Sequence, residues 1–579
     1  MNQLGRHHDL LTVILEDYFH VGALSGLISS REWYRFETRF EQNTLKTLDF
    51  LKQFEVRATF FVLGWIAEKH PELIAEISRQ GHEIANYGFQ HKNAHQMTRE
   101  EFRDDARRSR DALEIATGKR VVGYRIPQGL RSPSDFWILD TLAEEGYVYD
   151  SSVFPSSTLG SRFRSIYRHQ SQHGKLWEVP HPTVNCAGYL LPISGGNYFR
   201  QIPHTLLKHA VSHWKNSTSD PFMIYFHVWE LDPDQPRISA TSFVTRARQY
   251  RNLNKMQWVL RDYFNKYRFG TIADYLRCGT GPSTICERPS AAVEIGRGLA
   301  TSSRKPVVRT PVTIVVPCYN ERAALPYLAN TLESVTKLFD PDYEPTFVFV
   351  DDCSTDGTPE LLQRLFGKRA NCRVLQHPRN LGVAAAIFTG IRHSQTEIVC
   401  SIDCDCSYDP HELMQMIPML TPDVDMVTAS PYHHDGKVAN VPTWRLTLSK
   451  GASWLYSKVL NHKLATYTSC FRVYRRSKMI DLQLREPGYL GVVEALALLD
   501  LKGGRIREFP TTLHVRILGH SKMKVARTVV GHLKNLRRFW QMRHLLDREQ
   551  LLAAPMPDSD AHPQTTHALA DSDVRTVND

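Results

Sequence analysis

The chain has 579 residues, of which 42 % are hydrophobic and 10 % aromatic, with 71 Lys and Arg against 61 Asp and Glu. A chain of this length and apolar content can bury the cores of two to four domains, which excludes fibrous and globally disordered classes. The net charge of +10 is spread along the sequence. Basic blocks with interleaved aromatics are missing outside one C-terminal segment, so we expect no nucleic-acid partner.

No stretch of 18 apolar residues occurs, so the sequence predicts no transmembrane helix, and the apolar run near the start is too short for a signal-peptide core. The ten cysteines lack the paired spacing of metal sites. Cys400, Cys404 and Cys406 alternate along a predicted strand, and we interpret them as buried thiols rather than as a metal or redox site. The expected localisation is cytoplasmic.

Two large blocks are separated by a segment of different composition. Residues 278–310 are rich in Gly, Pro, Ser and Thr without sustained periodicity, which predicts a linker. Residues 552–579 are polar with few large apolar side chains, which predicts a disordered tail. The remaining blocks, 10–277 and 311–548, are large for single domains but normal for an α/β barrel or an open α/β sheet.

Both blocks alternate strand-like runs with helical patterns. The first contains the strand-like runs LLTVIL, VRATFFVLG, HEIAN, VVGYR and FMIYFHV, and the helical patterns HPELIAEISRQG and REEFRDDARRSRDALEIATG. The second contains VTIVVPCYN, TFVFVDDCS, CRVLQHP, EIVCSIDCD and VDMVTAS, with helices such as PELLQRLFGKR between them. This alternation predicts mainly parallel sheets of the α/β class, with ligand sites at the carboxyl ends of the strands.

Pairs of acids end two of the strands predicted in the second block. TFVFVDDCSTDGT places Asp351 and Asp352 at the close of an apolar run, before a turn that can cap the next helix. EIVCSIDCDCSYDP places Asp403 and Asp405 two residues apart, on one face of an extended chain. Two such carboxylates suit Mg²⁺ or Mn²⁺ on a diphosphate, although a lone Asp-x-Asp is more often a solvated turn.

Ordered motifs around these acids resemble the family 2 glycosyltransferases, particularly the branch related to polyprenyl-phosphate sugar transferases. They are VTIVVPCYNERAALP, FVDDCSTDGT, RNLGVAAAIFTGI, IDCDCSYDP, TSCFRVYRR and VRILGHSKM, and together they cover about residues 310–545. The resemblance implies an open, mostly parallel sheet that binds a nucleotide sugar. It also implies transfer of the sugar, with inversion at the anomeric carbon.

The resemblance also implies residue roles. Asp352 is expected to contact the base and ribose, while Asp403 and Asp405 hold the divalent ion and act in catalysis. Arg516 and Lys522 are expected as counter-charges, because metal and cations together stabilise charge on a departing nucleoside diphosphate. The nucleotide-sugar-binding set implied is Pro317, Tyr319, Asn320, Glu321, Asp351, Asp352, Asn380, Gly382, Arg516 and Lys522.

The acceptor is either a lipid phosphate or a glycan. A sugar hydroxyl needs a carboxylate base, whereas a phosphate is already ionised at neutral pH. Glu494 stands where the family often has an acid near the acceptor, and it is equally a helix-surface acid. Residues 522–548 are basic, with Val529, Leu533, Leu536 and Trp540 at helical spacing. They form either an amphipathic helix in peripheral contact with the inner membrane face or a core-packing helix with a basic solvated side.

The first block resembles the polysaccharide deacetylases, or NodB-homology proteins, of carbohydrate esterase family 4. The motifs are LEDYFHV, residues 56–88, GYRIP, YDSSVFP, WEVP and HVWELDPDQPR, and they cover about residues 10–277. The resemblance implies a distorted (β/α) barrel with the site at the strand ends. Relatives hold a metal such as Zn²⁺ with one Asp and two His, and a carboxylate base activates the metal-bound water.

This sequence departs from that pattern at two positions. Asp17 and His91 match metal ligands, but Ile14 replaces the first acid of the Asp-Val-Glu-Asp motif and Tyr87 replaces the first histidine. A neutral phenol is a poor Zn²⁺ ligand at pH 7. The resemblance assigns catalytic positions to Arg125 and His227, and Glu16 is an alternative base. We therefore expect an impaired deacetylase domain, with zinc in doubt.

The leading interpretation is a metal-dependent glycosyltransferase of surface-polysaccharide or glycolipid synthesis, fused to an impaired deacetylase-like domain. The alternative keeps both reactions, so that the first domain N-deacetylates a saccharide. A hydrolase acting through the first block alone conflicts with Ile14 and Tyr87. A non-enzymatic glycan-binding protein conflicts with the intact acids Asp352, Asp403 and Asp405.

Overall fold

The computed structural model describes residues 8–155, 159, 161–172, 174–186, 189–279, 281, 309–519 and 525–553. Most of the predicted linker, 278–310, lies outside the described residues, and so does the predicted tail apart from its first two residues. Elements of the first half end at Leu276, and those of the second half begin at Thr310.

The first half is built of short strands and helices in alternation. Its strands are β1 (Asp9–Leu15), β2 (Thr59–Val62), β3 (Glu83–Asn86), β4 (Gly123–Tyr124), β5 (Tyr149–Asp150), β6 (Tyr167–Ser171), β7 (Gly174–Glu178), β8 (Thr183–Cys186), β9 (Tyr189–Pro192), β10 (Met223–His227) and β11 (Phe269–Gly270). Its helices are α1 (Phe40–Gln53), α2 (Gly64–Lys69), α3 (Pro71–Arg79), α4 (Arg99–Thr117), α5 (Trp137–Glu144), α6 (Asn197–Gln201), α7 (His204–Ser217), α8 (Phe243–Tyr250), α9 (Leu253–Lys266) and α10 (Ile272–Leu276).

The second half repeats the alternation with longer elements. Its strands are β12 (Thr310–Cys318), β13 (Tyr343–Asp351), β14 (Cys372–Gln376), β15 (Ile398–Ser401), β16 (Met426–Ser430), β17 (Lys437–Ala439), β18 (Arg472–Arg475), β19 (Ile506–Pro510) and β20 (Thr512–His514). Its helices are α11 (Leu325–Phe339), α12 (Thr358–Phe366), α13 (Val383–His393), α14 (Leu413–Met416), α15 (Thr443–Val459), α16 (Arg476–Met479), α17 (Tyr489–Leu501) and α18 (Val525–Ala553).

Both halves belong to the predicted α/β class. A nine-stranded sheet of the first half has the order β10-β1-β2-β3-β4-β5-β7-β6, with β11 beside β1, and its neighbours are parallel except β6 and β7. The described strands thus pair as an open series, and the pairing does not show the closed barrel that the deacetylase resemblance predicts. The seven-stranded sheet of the second half has the order β14-β13-β12-β15-β18-β16-β19, parallel except for β18. The predicted open, mostly parallel sheet is confirmed.

Local sequence explains where the predicted helices begin and end. Helix α4 begins after Thr98, whose hydroxyl accepts from the N–H of Glu101 while the Glu101 carboxylate accepts from the N–H of Thr98. The helix ends at Gly118, which has a φ of 66° that suits glycine. Pro71 occupies the first turn of α3, where its missing N–H costs no helical hydrogen bond.

The two halves share one of the buried apolar clusters. One cluster of buried side chains contains residues of the first half, among them Phe19, Phe36 and Ile238, together with residues of the second half around α11. The ring of Phe36 meets the ring of Tyr327 edge-on, with their centroids 5.0 Å apart. Arg35 forms an ion pair of 2.8 Å with Asp409 beside this contact. Packing therefore helps to fix the relative position of the two halves.

Among the described residues, the helices are either too short or too polar to cross a membrane. The longest of them is α18, which carries several Lys and Arg residues.

Replacing Phe36 by alanine tests the shared core. Because Phe36 is 1 % exposed, Phe36→Ala should cost about 3–5 kcal/mol locally and lower the thermal unfolding midpoint. We also expect faster hydrogen exchange of the amides of α11, which lies in the other half. The half-exposed Leu45 of α1 provides the control, since Leu45→Ala should leave α11 protected. Unchanged exchange in α11 of the Phe36 variant would show that the halves are energetically separate.

Candidate active site

The acids predicted in the second half meet at one edge of the sheet. In the parallel pair β12–β13, Cys318 lies opposite Asp351. In the parallel pair β12–β15, Val315 lies opposite Ser401, two residues before Asp403. The carboxyl ends of three neighbouring strands therefore bring both acid pairs to the same edge, as the sequence predicted.

The turn after β12 is fastened to the turn after β13. The N–H of Asn320 donates to Ser354 Oγ at 2.7 Å, and Asn320 Oδ1 accepts from the N–H of Thr355 at 2.7 Å. Asn320 has a φ of 53°, which an asparagine tolerates. Asp356 accepts from the N–H of Thr358 at the start of α12, which confirms the capping turn. Of the neighbouring predicted contacts, Pro317 lies in β12 and Tyr319 is partly exposed.

Asp352 organises the loop before α13. Its carboxylate accepts from the backbone N–H groups of Leu381 and Gly382 at 2.7 Å each, and it lies 2.8 Å from His377 Nδ1. Asn380 donates to the Asp352 carbonyl at 3.3 Å. Because three donors occupy this buried carboxylate, the structure gives Asp352 an organising role. Its expected contact with a base stays a prediction.

Asp351 is the member of the pair with an unoccupied acceptor. Its Oδ2 accepts from Ser354 N–H and Gln376 Nε2, each at 3.2 Å, whereas its buried Oδ1 has no hydrogen-bond partner among the described residues. A buried carboxylate oxygen without a donor is costly unless a ligand supplies one. Asp351 is nevertheless fully buried and lines neither of the cavities that contain Asp405 and Tyr432, so its contact with a nucleotide stays a prediction.

Among the described residues, Arg516 is the cation that pairs with the Asp403 and Asp405 cluster. Arg516 pairs through Nε with Asp405 and through Nη1 with Glu321, the latter at 2.8 Å. Burial and the adjacent Asp405 carboxylate raise the pKa of Asp403 to about 7. A divalent cation bound between Asp403 and Asp405 would relieve the repulsion between these neighbouring carboxylates. The oxygen donors are of the type that Mg²⁺ and Mn²⁺ prefer.

Two adjoining cavities open beside these acids. One of about 230 Å³ is lined by Asp403 and Asp405 together with Tyr432 and Tyr489. The other, of about 390 Å³, shares Asp405 and both tyrosines and adds Arg516. Sequence reasoning missed Tyr432 and Tyr489, because each lies in a loop or at a helix start without a motif of its own. Lys522 lies outside the described residues.

A third cavity of about 260 Å³ runs between α15 and α18. It is lined mainly by apolar groups, including Leu448, Leu455, Val529 and Leu533, and it shares Tyr489 with the cavities at the acids. We call it the helix groove. The predicted helix at 522–548 is confirmed as α18, and its apolar residues divide between the core and the surface. Leu536 is buried, whereas Val529, Leu533 and Trp540 are exposed.

Glu494 fastens α18 to the domain. It is 1 % exposed on α17, accepts from the N–H groups of Arg485 and Glu486, and pairs with Arg538 Nη2 at 2.5 Å. These contacts make it neither a helix-surface acid nor a lining residue of the cavities at Asp403. Its assignment as a base stays a prediction that its contacts do not support.

In the first half, Glu16 rather than Asp17 meets the histidines. Glu16 Oε1 lies 2.8 Å from His227 Nδ1, and Glu16 Oε2 lies 3.2 Å from His91 Nε2. Burial opposes ionisation of Glu16, yet the two imidazoles hold its pKa well below the usual range. Burial likewise opposes protonation of His227, but the Glu16 carboxylate raises its pKa. The result is a buried carboxylate between two rings.

Asp17 caps the first turn of α1 instead of facing His91. Its carboxylate accepts from the N–H groups of Arg39 and Phe40, at 2.6 and 3.1 Å, at the start of α1, and from that of Tyr18 at 3.0 Å. Burial raises the pKa of Asp17 to about 7. The pairing of Asp17 and His91 as metal ligands stays a prediction, which these backbone contacts of the Asp17 oxygens do not support.

The remaining groups of this site do not complete a metal centre. Arg125 is buried and donates hydrogen bonds to the Ser151 carbonyl and the Thr12 hydroxyl rather than to Glu16. Tyr87 is 3 % exposed, and burial keeps the pKa of its phenol well above the usual range. Among the described residues, only the group of His433, His434 and Asp435 offers three ligand atoms within 4.8 Å of one another. The residues around Glu16 therefore do not fit the zinc site of the deacetylases.

Three family matches divide the chain in the same way. Residues 313–482 match Glycosyl transferase family 2, residues 33–146 match Polysaccharide deacetylase, and residues 151–277 match a domain of unknown function, DUF3473. The relatives match the second half. A dolichol-phosphate mannosyltransferase of Pyrococcus furiosus is 27 % identical over 41 % of this chain, which spans 66 % of that protein. A polyprenol monophosphomannose synthase of Mycolicibacterium smegmatis is 28 % identical over 44 % of this chain and 95 % of its own length.

Solved structures are similar to each half separately. A proposed polysaccharide deacetylase from Mycobacterium smegmatis is 19 % identical and covers 48 % of this chain and 95 % of its own, with a TM-score of 0.33. The mannosyltransferase PcManGT from Pyrobaculum calidifontis, in complex with GDP-Man and Mn²⁺, is 18 % identical and covers 44 % of this chain and 78 % of its own, with a TM-score of 0.29. On the family matches, the chain joins a polysaccharide deacetylase (NodB-homology) domain to a domain of glycosyl transferase family 2.

Proposed function

We propose that the second half transfers a sugar from a nucleotide sugar to a lipid phosphate with the help of a divalent metal. One observation carries the proposal: the two cavities at Asp403, Asp405 and Arg516 adjoin the apolar helix groove, with Tyr489 lining all three. A charged site joined to an apolar groove fits reactants of which one is a diphosphate and the other is a phosphate on a hydrocarbon chain.

Asp403 and Asp405 would hold Mg²⁺ or Mn²⁺. When bound, the ion neutralises charge on the diphosphate and so stabilises the leaving nucleoside diphosphate. Arg516 adds a fixed positive charge at the same place. The turn held by Asn320 and the loop held by Asp352 shape the walls for the nucleotide.

A lipid phosphate as acceptor needs no base at the site, which fits the contacts of Glu494 in the described part of the chain. A phosphate oxygen is ionised at neutral pH and attacks without losing a proton, so the engagement of Glu494 with Arg538 is no obstacle. The relatives named for dolichol phosphate and polyprenol support this acceptor class. A glycan hydroxyl as acceptor would need a base that these contacts do not provide.

The same groove supports peripheral membrane contact. Trp444 and Trp454 of α15 and Trp540 of α18 are each about half exposed, as are Leu448 and Leu533. Tryptophan at the headgroup level and Lys or Arg around it are typical of helices that lie on an anionic membrane surface. Such a surface would let the lipid chain enter the groove while its phosphate meets the acids. We propose cytoplasmic location at the inner membrane face on this ground.

The first half is proposed as an impaired deacetylase. Support comes from Ile14 and Tyr87, which replace an acid and a histidine of the family motifs, and from Glu16, whose charge is balanced by His227. The alternative, in which both halves react, requires the Glu16 site to bind metal after rearrangement.

Asp405→Asn tests the transferase. We expect transfer from GDP- or UDP-sugars to a polyprenyl phosphate to need added Mn²⁺ or Mg²⁺ and to stop with EDTA. Removing one charge that holds the ion should lower kcat by roughly 10²–10³-fold. Asp423→Asn removes an exposed carboxylate outside the cavities and should behave as the parent chain. Full activity of the Asp405 variant, or of the parent in EDTA, would contradict metal-dependent transfer.

Leu533→Ser tests the lipid site. Loss of apolar contact in the groove should raise KM for a long polyprenyl phosphate about five- to tenfold, which corresponds to about 1–1.4 kcal/mol. KM for a short-chain phosphate that does not reach the groove should not change. Leu206→Ser alters a similarly exposed leucine of the first half and is the control. Equal effects on long and short acceptors would argue against the groove as the hydrocarbon site.

Tyr87→His tests the damaged metal site. The parent chain should bind Zn²⁺ weakly at the Glu16 site, because the tyrosine ring stands beside His91, with ring centroids 5.7 Å apart. A histidine there restores a ligand and should raise zinc affinity at least about tenfold, as measured by calorimetry. Tyr87→Phe controls for loss of the phenol. Tight zinc binding and acetate release by the parent chain would instead favour the enzyme with both activities.

A further inference from the structure

A segment of the first half reaches into the transferase cavity. The chain beyond β10 forms an antiparallel bridge between Ile238 and Leu518. The N–H of Ser239 donates to the carbonyl of Ile517 at 2.8 Å, and Ser239 Oγ donates to the same carbonyl at 3.1 Å. Ser239 and Ala240 line the 390 Å³ cavity that also contains Asp405 and Arg516. We call residues 238–240 the bridging segment.

The bridging segment holds the residues that directly follow Arg516. On the preceding side, the N–H of Val515 donates to the carbonyl of Ala439 within the second half. On the following side, Ser239 of the first half donates both hydrogen bonds to the Ile517 carbonyl, and Ile238 pairs with Leu518 as a β-bridge. Because the Arg516 guanidinium must span Asp405 and Glu321, its backbone needs support on both sides. One of these supports belongs to the deacetylase-like half.

Hydrogen bonds and burial hold the bridging segment in place. The N–H of Ile238 donates to Tyr250 Oη at 2.9 Å, and the Ile238 side chain is fully buried in the core shared by the halves. Gln235 Nε2 donates at 2.9 Å to the carbonyls of both Trp229 and Asp232, which follow β10. A support that is already ordered positions Arg516 without a further loss of chain entropy.

We propose that the bridging segment is a working part of the transferase site. Ser239 acts as a positioning residue that fixes Arg516 through the backbone of Ile517. Ala240 lines the same cavity as Arg445 of α15, which also lines the helix groove. The deacetylase-like half thus serves the transfer reaction structurally, whatever its own chemistry. The inference rests on the proposed transferase activity, which supplies its assay.

Ser239→Pro in the full chain is the first test, because proline removes the N–H that bonds Ile517. We expect kcat for transfer to fall roughly tenfold, which corresponds to about 1.4 kcal/mol, with an unchanged thermal unfolding midpoint. Ser239→Ala keeps the N–H and should lose less activity. Ser219→Pro, at an exposed bend of the first half, controls for a proline introduced away from the cavity.

A double-mutant cycle separates positioning from a general structural effect. If Ser239 acts through Arg516, then Ser239→Pro should change kcat less than twofold in an Arg516→Ala background. The same tenfold loss in both backgrounds would overturn the positioning role. A parent chain without transfer activity would instead refute the proposed function, so the two failures are distinguishable.

Ala240→Phe is a second variant that does not depend on the proline. The larger side chain should narrow the cavity and raise KM for the lipid-phosphate acceptor at least about fivefold, while KM for the nucleotide sugar stays within twofold. If Ser239→Pro fails to fold, this variant decides the inference. Unchanged acceptor KM, or an equal rise for donor and acceptor, would overturn it.

Discussion

The transferase cavity depends on one cation held between two carboxylates. Arg516 pairs with Glu321, which follows β12, and with Asp405, which follows β15, so its guanidinium cross-links the ends of two neighbouring strands. Without it, Glu321, Asp403 and Asp405 would repel one another in a buried place. The backbone on either side of Arg516 is supported by both halves of the chain, which makes the interface between them part of the site's electrostatics.

The deacetylase-like half holds a buried carboxylate between two imidazole rings. Glu16 lies 2.8 Å from His227 and 3.2 Å from His91; burial opposes its ionisation, but the two imidazoles hold its pKa below the usual range. The Asp17 carboxylate accepts from backbone N–H groups at the start of α1. The chain beyond β1 and β10 also reaches the other half, through Phe36 and Ile238. The deacetylase-like half therefore packs directly against the transferase half.

The helix groove, which we propose for the lipid acceptor, results from the packing of two helices. Helices α15 and α18 expose tryptophans and leucines while α18 is anchored by Glu494 and Arg538. Their separation leaves an apolar groove that opens next to Tyr489 and the acids. This anchoring explains why Glu494, an acid in the expected place, need not be a base. Its oxygens accept from the N–H groups of Arg485 and Glu486 and pair with the Arg538 guanidinium.

The sequence by itself determined the α/β class, the two-part organisation and the edge of the sheet at which Asp351, Asp403 and Asp405 meet. Apolar periodicity, turn residues and strand-end acids are local signals. Because the strands are parallel, the acids that follow them lie at one edge of the sheet. Only the tertiary structure decided which carboxylates are free. Asp17, Asp352 and Glu494 look like ligands or bases in the sequence, but backbone N–H groups from loops or helix starts elsewhere in the chain donate to their carboxylates. The bridging segment was equally hidden, because a contact between Ser239 and Ile517 spans 278 residues and no local pattern encodes it.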